Sequence, residues 1–253
     1  MAMARPEEFP HEAPLLWLQD VVKRREQGGS RFELQAPKFR VERGEFVALV
    51  GESGCGKSTL LDLLALISRP SQCGLFDLGL DPLRPIDIAH LWEQEEEAAL
   101  AAIRRRRLGY VLQTGGLLPY LTVRENLRLP GRLNRLQGID RKIGLMAQRI
   151  GVADCLNRLP ERLSGGQRQR VAILRALVHG PSLVLADEPT AAVDQRRAQG
   201  IVLDLRELAR AEEMAVVMVT HDLGLAALAD RRYGFRLESR GPAETLSVCL
   251  EEG

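Results

Sequence analysis

The chain has 253 residues, enough for one large domain or a domain with an insertion, able to bury about three-quarters of its unfolded surface. Lys and Arg number 35 against 34 Asp and Glu, a net charge of +1, which argues against a wholly basic nucleic-acid protein. With 45% hydrophobic residues it is not a disordered chain, and no apolar run approaches the roughly 18–20 residues of a membrane span.

Residues 1–14 contain Pro and Glu without periodicity and are expected to form a loose extension. They lack an apolar segment of the kind a secretory signal needs. Through residues 17–47 a weak alternation of Phe32, Leu34, Phe39 and Val41 predicts short strands of an antiparallel patch. Residues 46–50 are continuously apolar, as in a strand buried on both faces. A Gly-rich turn follows, and residues 58–67 place Leu60, Leu61, Leu63, Leu64 and Ile67 at helical spacing. Residues 91–107 run from Glu93, Glu95, Glu96 and Glu97 to Arg104, Arg105, Arg106 and Arg107. A solvated helix leading into a strand at 108–112 explains that charge run better than a nucleic-acid or lipid contact.

Residues 117–163 are rich in Arg and Leu, with no convincing strand, and are expected to be helical. Strand–helix alternation then resumes. A helix over 165–178 is stopped by Gly180-Pro181. Strands are expected at 183–186 and 214–219, helices after Asp194 and Asp222, and a last strand at 233–237. This order predicts an α/β fold with a mainly parallel sheet and right-handed crossovers. Four cysteines, Cys55, Cys73, Cys155 and Cys249, lack C-x-x-C spacing. They point away from zinc and disulfides, toward a reducing compartment. Aromatic residues are only 4%, so surfaces on which a base could stack are scarce.

The chemistry is concentrated in a few motifs. Gly51-Glu52-Ser53-Gly54-Cys55-Gly56-Lys57-Ser58 fits G-x-x-x-x-G-K-[ST] between an apolar strand and an apolar helix, the context that confirms a phosphate loop. Glycines let the backbone curl so that several N–H groups face phosphate oxygens, and the helix N-terminus adds a positive field. Lys57 reaches the β- and γ-phosphates, and the Ser58 hydroxyl can ligate Mg²⁺. The strand 183–186 runs into Asp187 and Glu188. In a parallel sheet these acids face the ligand crevice, where Asp187 is placed to hold Mg²⁺ and Glu188 to act as general base toward water. Leu163-Ser164-Gly165-Gly166-Gln167 opens another helix with a second anion-binding start. A two-chain site accounts for it, each chain offering this helix to its partner's nucleotide. Cys55 sits inside the phosphate loop, where a helix N-terminus can lower a thiol's pKa, or where a small residue merely fits.

This order of motifs resembles the ATP-binding subunit of ATP-binding cassette (ABC) transporters: the phosphate loop through Thr59, Gln113 after a strand, the Ser164 signature, Asp187-Glu188, Asp194, and His221 after a strand. The resemblance covers roughly residues 15–240. It implies a RecA-like P-loop NTPase core with an N-terminal antiparallel β patch and an inserted α-helical subdomain. The expected boundaries are an extension at 1–14, a core at 15–114 and 165–253, and a helical subdomain at 115–164 whose signature helix runs on to about 179. The ligands implied are ATP and Mg²⁺. Gln113 is implied to touch Mg²⁺ and the attacking water. Ser164, Gly165, Gly166 and Gln167 are implied to meet the opposite subunit's ATP, with Asp194 crossing the dimer interface. His221 is implied to contact the γ-phosphate and hold the Glu188 region.

The run Gly109-Tyr110-Val111-Leu112-Gln113, followed by Leu117-Leu118-Pro119-Tyr120-Leu121-Thr122-Val123-Arg124-Glu125-Asn126, is similar to the lipoprotein-releasing, macrolide-exporting and cell-division type of these ATPases. That type implies a homodimer and a separate four-helix permease with a large extracytoplasmic domain. It also implies a periplasmic adaptor in some systems and a place on the cytoplasmic face of the inner (plasma) membrane, with no nucleic acid. A nucleotide-gated regulator acting through a permease-like partner fits the same residues. A soluble ATPase of translation or repair fits them less well, because only one cassette is present. Two departures stand out. Where relatives place an adenine-stacking aromatic after a Lys-Arg-like pair, Lys23-Arg24 is followed here by Arg25. Either Arg25 or, preferably, Phe32 from the next strand takes that place. Ala191-Ala192-Val193-Asp194 stands where Ser-Ala-Leu-Asp is more usual.

Overall fold

The computed structural model describes residues 14–81, 84–191, 193, 195–241 and 243–252. Most of the expected N-terminal extension and Asp194 lie outside the described residues. The chain opens with β1 (Leu16–Gln27) and β2 (Ser30–Val41), an antiparallel hairpin in which Leu16 faces Val41 and Gln27 faces Ser30. These strands are far longer than the short ones expected. The reason is the two-residue turn Gly28-Gly29, with φ of 57° and 80°. Such a turn matches the twist of its flanking strands and lets pairing run on from the tip.

After β3 (Phe46–Val50) and α1 (Lys57–Leu64), the chain adds β4 (Leu75–Leu78) and β5 (Ile86–Asp87) beyond β1. Sequence periodicity missed both, since strands of two and four residues carry almost no pattern. The acidic-to-basic stretch is two helices, α2 (Ile88–Glu93) and α3 (Glu97–Arg107). They are broken at Glu95, which takes φ of 55°. Then come β6 (Leu108–Val111), α4 (Val123–Leu133) and α5 (Ile139–Arg149), with single 3-10 turns at Ala153–Cys155 and Pro160–Arg162. Among the described residues no strand interrupts this helical stretch.

The last part comprises α6 (Gly165–Leu177), β7 (Leu183–Asp187), α7 (Gln195–Ala211), β8 (Ala215–Thr220), α8 (Leu223–Ala226), β9 (Arg231–Gly241) and β10 (Glu244–Glu252). The ten strands form one sheet in the order β5-β4-β1-β2-β10-β9-β3-β8-β7-β6. Its heart, β9-β3-β8-β7-β6, is parallel. The antiparallel part is larger than an N-terminal patch, because β10 pairs antiparallel with β9 and parallel with β2, joining the two regions.

The continuous apolar strands are explained by burial on both faces. Val217 and Val219 of β8 and Leu183 and Leu185 of β7 pack with α1, α3 and the β1–β2 hairpin. Their neighbours Val216, Met218, Val184 and Ala186 pack on the opposite face with α4, α5, α6 and α7. Side chains of a strand alternate between faces, so a strand covered twice must be apolar at every position. Covering both faces leaves the strand ends as the place where polar groups of several segments can meet.

Candidate active site at the carboxyl ends of the parallel strands

The phosphate loop joins the end of β3 to α1. Gly56 adopts φ of 106°, and a Cβ there would lie 2.9 Å from Cζ of Phe32 and 3.3 Å from Cδ1 of Leu34. Glycine is thus required twice, for the left-handed backbone and for the close approach of β2. Lys57, the first residue of α1, is 7% exposed, and its Nζ donates to the carbonyls of Gly51 and Glu52 at 2.7 Å each. Cys55 is buried at 1% exposure, and its carbonyl accepts from Ser247 Oγ at 2.5 Å. The thiol therefore packs inward as a small loop residue.

Three neighbouring strands deliver the polar cluster beside this loop. Glu188 follows β7, Gln113 lies two residues after β6, and His221 directly follows β8. Gln113 Nε2 donates to Glu188 Oε2 at 3.3 Å, and His221 Nδ1 lies 3.2 Å from Glu188 Oε1. Each carboxylate oxygen thus has its own partner. Glu188 takes φ of 43°, uncommon for a residue with a side chain and the kind of strain that gathers at functional sites. Asp187 is the last residue of β7. Burial raises its carboxyl pKa, the charges of Glu188 and Asp62 raise it further, and Lys57 opposes them.

A cavity of about 590 Å³ unites the phosphate loop with Gln113, Asp187 and Glu188, and His221 stands outside its lining, joined to it through Glu188. Lys57, Ser58, Thr59, Gln113, Asp187 and Glu188 line one part of it, and Arg25, Ser30 and Phe32 another. Because β1 and β2 lie on one side of β3 and β8, β7 and β6 on the other, the phosphate loop sits between the two groups. The cavity can hold an elongated anion along the loop, with a carboxylate at one end to polarise water.

Comparison with known proteins decides the family. The profile described as ABC transporter matches residues 34–191, more than half of the chain. The chain belongs to the ABC transporter ATP-binding family. It is 39% identical over 208 residues to the uncharacterized ABC transporter ATP-binding protein YvrO of Bacillus subtilis, covering 79% of this chain and 86% of that one. It is 38% identical over 221 residues to the putative hemin import ATP-binding protein HrtA of Staphylococcus aureus, covering 85% and 94%. Among solved structures it resembles the dimeric bacterial ABC transporter cassette MJ0796, with a TM-score of 0.72, 32% identity and 87% and 93% coverage. The same cassette bound to ADP and phosphate after hydrolysis matches with a TM-score of 0.71 and 33% identity, again over 87% and 93%.

As a member of this family the chain is an ATP-binding subunit and an ATPase with a P-loop NTPase fold. The signature stands apart from the cavity of its own chain. Ser164 caps α6, its Oγ accepting from the Gln167 N–H at 3.2 Å while Gln167 Oε1 accepts from the Ser164 N–H at 3.0 Å. Ser164 and Gly165 are exposed, and none of residues 163–167 lines the cavity. Of the sequence-predicted residues, the fold gathers the phosphate loop, Gln113, Asp187, Glu188, His221, Arg25 and Phe32. It leaves Ser164, Gly165, Gly166 and Gln167 on the surface.

Three further residues escaped sequence reasoning. Asp62 of α1 holds Arg25, with Oδ2 2.9 Å from Nη2. Asn126, fully buried in α4, accepts from the Leu118 N–H at 2.8 Å and donates to the carbonyls of Leu118 and Leu121 at 3.1 and 3.0 Å. Arg175 of α6 donates to the carbonyls of Gly116 at 2.6 Å and Gly115 at 3.1 Å. The last two pin the loop after Gln113 to α4 and to the signature helix. Only the polarity of Asn126 inside an apolar helical face signals this in the sequence.

Proposed function

We propose that this ATPase works as a head-to-tail homodimer that closes over two ATP molecules and drives a membrane permease. The observation that carries this reading is the joint placement of Gln113 and His221 on the two oxygens of Glu188, beside Lys57 and Asp187. Glu188 takes the proton of the water that attacks the γ-phosphorus in line, and the leaving oxygen is that of ADP. Lys57 exchanges its two loop carbonyls for phosphate oxygens. Gln113 and His221 hold Glu188 in position; His221 also reaches the γ-phosphate.

The donor set fits Mg²⁺. A hydroxyl, an amide oxygen and a carboxylate are hard oxygen ligands, and a cation relieves the penalty that burial places on the Asp187 charge. Ser58, Gln113 and Asp187 are the residues that would hold it. Among the described residues no group of three His, Cys, Asp or Glu could hold a metal ion unaided, as suits a cation shared with phosphates. When bound, Mg²⁺ supplies neutralisation of charge on the β- and γ-oxygens.

The exposed signature on α6 and its distance from the home cavity support a site completed by a second copy, with Asp194 at the crossing. The tie from Gln113 through Arg175 and Asn126 to α6 and α4 supports passage of motion to a permease at the helical side. No helix among the described residues is long and apolar enough to cross a membrane. The run 109–126 favours the four-helix permease with a large extracytoplasmic domain.

The test is the Glu188→Gln variant in Mg²⁺ and ATP. Turnover should fall about 10²- to 10⁴-fold, the usual worth of a general base, while the variant elutes as a dimer. Wild-type turnover removes Glu188 as base, and a monomer in saturating ATP overturns the two-chain site. Purification from membranes without any integral membrane subunit overturns the permease reading.

A further inference from the structure

We infer that Ser247, a buried serine of the last strand, is a positioning residue for nucleotide binding: its hydroxyl fixes the peptide between Cys55 and Gly56 so that the Gly56 N–H faces the phosphates. The inference deepens the nucleotide-binding reading above and rests on it.

Ser247 lies in β10 between Leu246 and Val248 and is fully buried. A hydroxyl in such a place costs stability unless it is hydrogen-bonded. Its Oγ donates to the Cys55 carbonyl at 2.5 Å, across 192 residues of sequence. The register of the sheet makes this reach possible. Ser247 sits opposite Leu34 of β2, and a Cβ on Gly56 would lie 3.3 Å from Cδ1 of that leucine. A Cβ on Gly51 would lie 3.5 Å from Cδ2 of Phe235 in β9. The joined strands β2, β10 and β9 thus form a wall behind the phosphate loop, and Ser247 ties that wall to the loop.

No peptide bond among the described residues is cis. A trans peptide points its C=O and the following N–H in opposite directions. The Cys55 carbonyl faces β10, so the Gly56 N–H faces away from it. Gly56 lines the cavity and Cys55 does not, so this N–H is one of the donors offered to a phosphate oxygen. The orientation needs a lock. Gly56 takes φ of 106°, and a glycine in this place lets the peptide before it rotate at little steric cost. Among the described residues no backbone N–H bonds the Cys55 carbonyl. Lys57 Nζ donates to the carbonyls of Gly51 and Glu52 and does not hold it. Without Ser247 the Cys55 carbonyl is free to swing toward the cavity, where it would face phosphate oxygens with negative charge against negative. Ser247 itself touches no phosphate and acts through the loop.

The experiment compares Ser247→Ala with the parent chain in Mg²⁺, by steady-state ATP hydrolysis and by equilibrium binding of ADP. The KM for ATP and the Kd for ADP should both rise about tenfold, the worth of one hydrogen bond to a charged group. Because the bond is made to bound substrate and transition state alike, kcat should stay within about twofold. In chains labelled with ¹⁵N-glycine, the Gly56 amide signal should move on saturation with ADP in the parent and move much less in the variant. Val248→Ala removes buried apolar atoms from the opposite face of the same strand and controls for a loosened β10: it should lower the melting temperature and leave KM unchanged. Should Ser247→Ala fail to fold, Ser247→Cys keeps the size with only a weak donor and carries the same expectation. An unmoved KM and Kd in a folded Ser247→Ala, an equal rise in Val248→Ala, or a fall confined to kcat overturns the inference while leaving nucleotide binding intact. Failure of the parent chain to bind ADP overturns the nucleotide reading itself.

Discussion

Asn126→Ala should loosen the link between Gln113 and the helices. Asn126 is completely buried, and its amide satisfies both ends of the loop over residues 118–122. Two N–H donors and one accepted bond make three full hydrogen bonds, since the contact from Nδ2 to the Thr122 carbonyl at 3.1 Å must share a proton with the others. At about 1 kcal/mol net for each bond, truncation costs about 3 kcal/mol, more where the freed backbone groups stay dry. In urea, with a slope near 3 kcal/mol/M for a chain of this size, the midpoint should fall by about 1 M. Hydrogen exchange should accelerate at Leu118, Leu121 and Thr122, and ATP turnover should drop because Gln113 is less well placed. Asn126→Asp should be worse, because it presents carboxylate oxygen to two backbone carbonyls. A loss below about 1 kcal/mol, with unchanged exchange, would refute the pinning of this loop by one buried amide.

His221→Ala removes the partner of Glu188 Oε1 and should lower ATP turnover on the order of 10²-fold with little change in nucleotide affinity; steady-state assays and equilibrium binding separate the two effects. Gly56→Ala pushes a methyl group against Phe32 at a backbone φ of 106° and should weaken both stability and ATP binding; an unchanged melting temperature would contradict the close approach. His179, partly buried, bonds the Leu108 carbonyl through Nε2 at 3.1 Å; burial foremost holds its pKa below the usual value, with the Lys142 charge adding to this. Its folded pKa is depressed, so the unfolded chain takes up the proton first. Stability is full above a pH of about 6.5 and declines as the pH falls toward the folded value. His179→Gln, which keeps an amide donor, should flatten that decline in unfolding titrations.

How much was legible beforehand varied with the kind of signal. The phosphate loop, Asp187 and Glu188 were readable because local backbone chemistry fixes them: a strand, a glycine turn and a helix start occupy consecutive residues. The strands at β3, β7 and β8 were readable because burial on both faces makes them apolar throughout. The short β4 and β5 carried too few residues to show a period, and β10 earns its place only by pairing with β9 and β2.

The sequence by itself determined the family, the fold class and the phosphate-loop motif. Tertiary structure decided the rest, because it depends on contacts between segments far apart in the chain. Gln113, Glu188 and His221 meet only through the parallel order of β6, β7 and β8. The scarcity of aromatics left Arg25 and Phe32 as rivals for the base. Packing brings both to one cavity, with Phe32 against Gly56 and Arg25 tied to Asp62, which lies 37 residues away on α1.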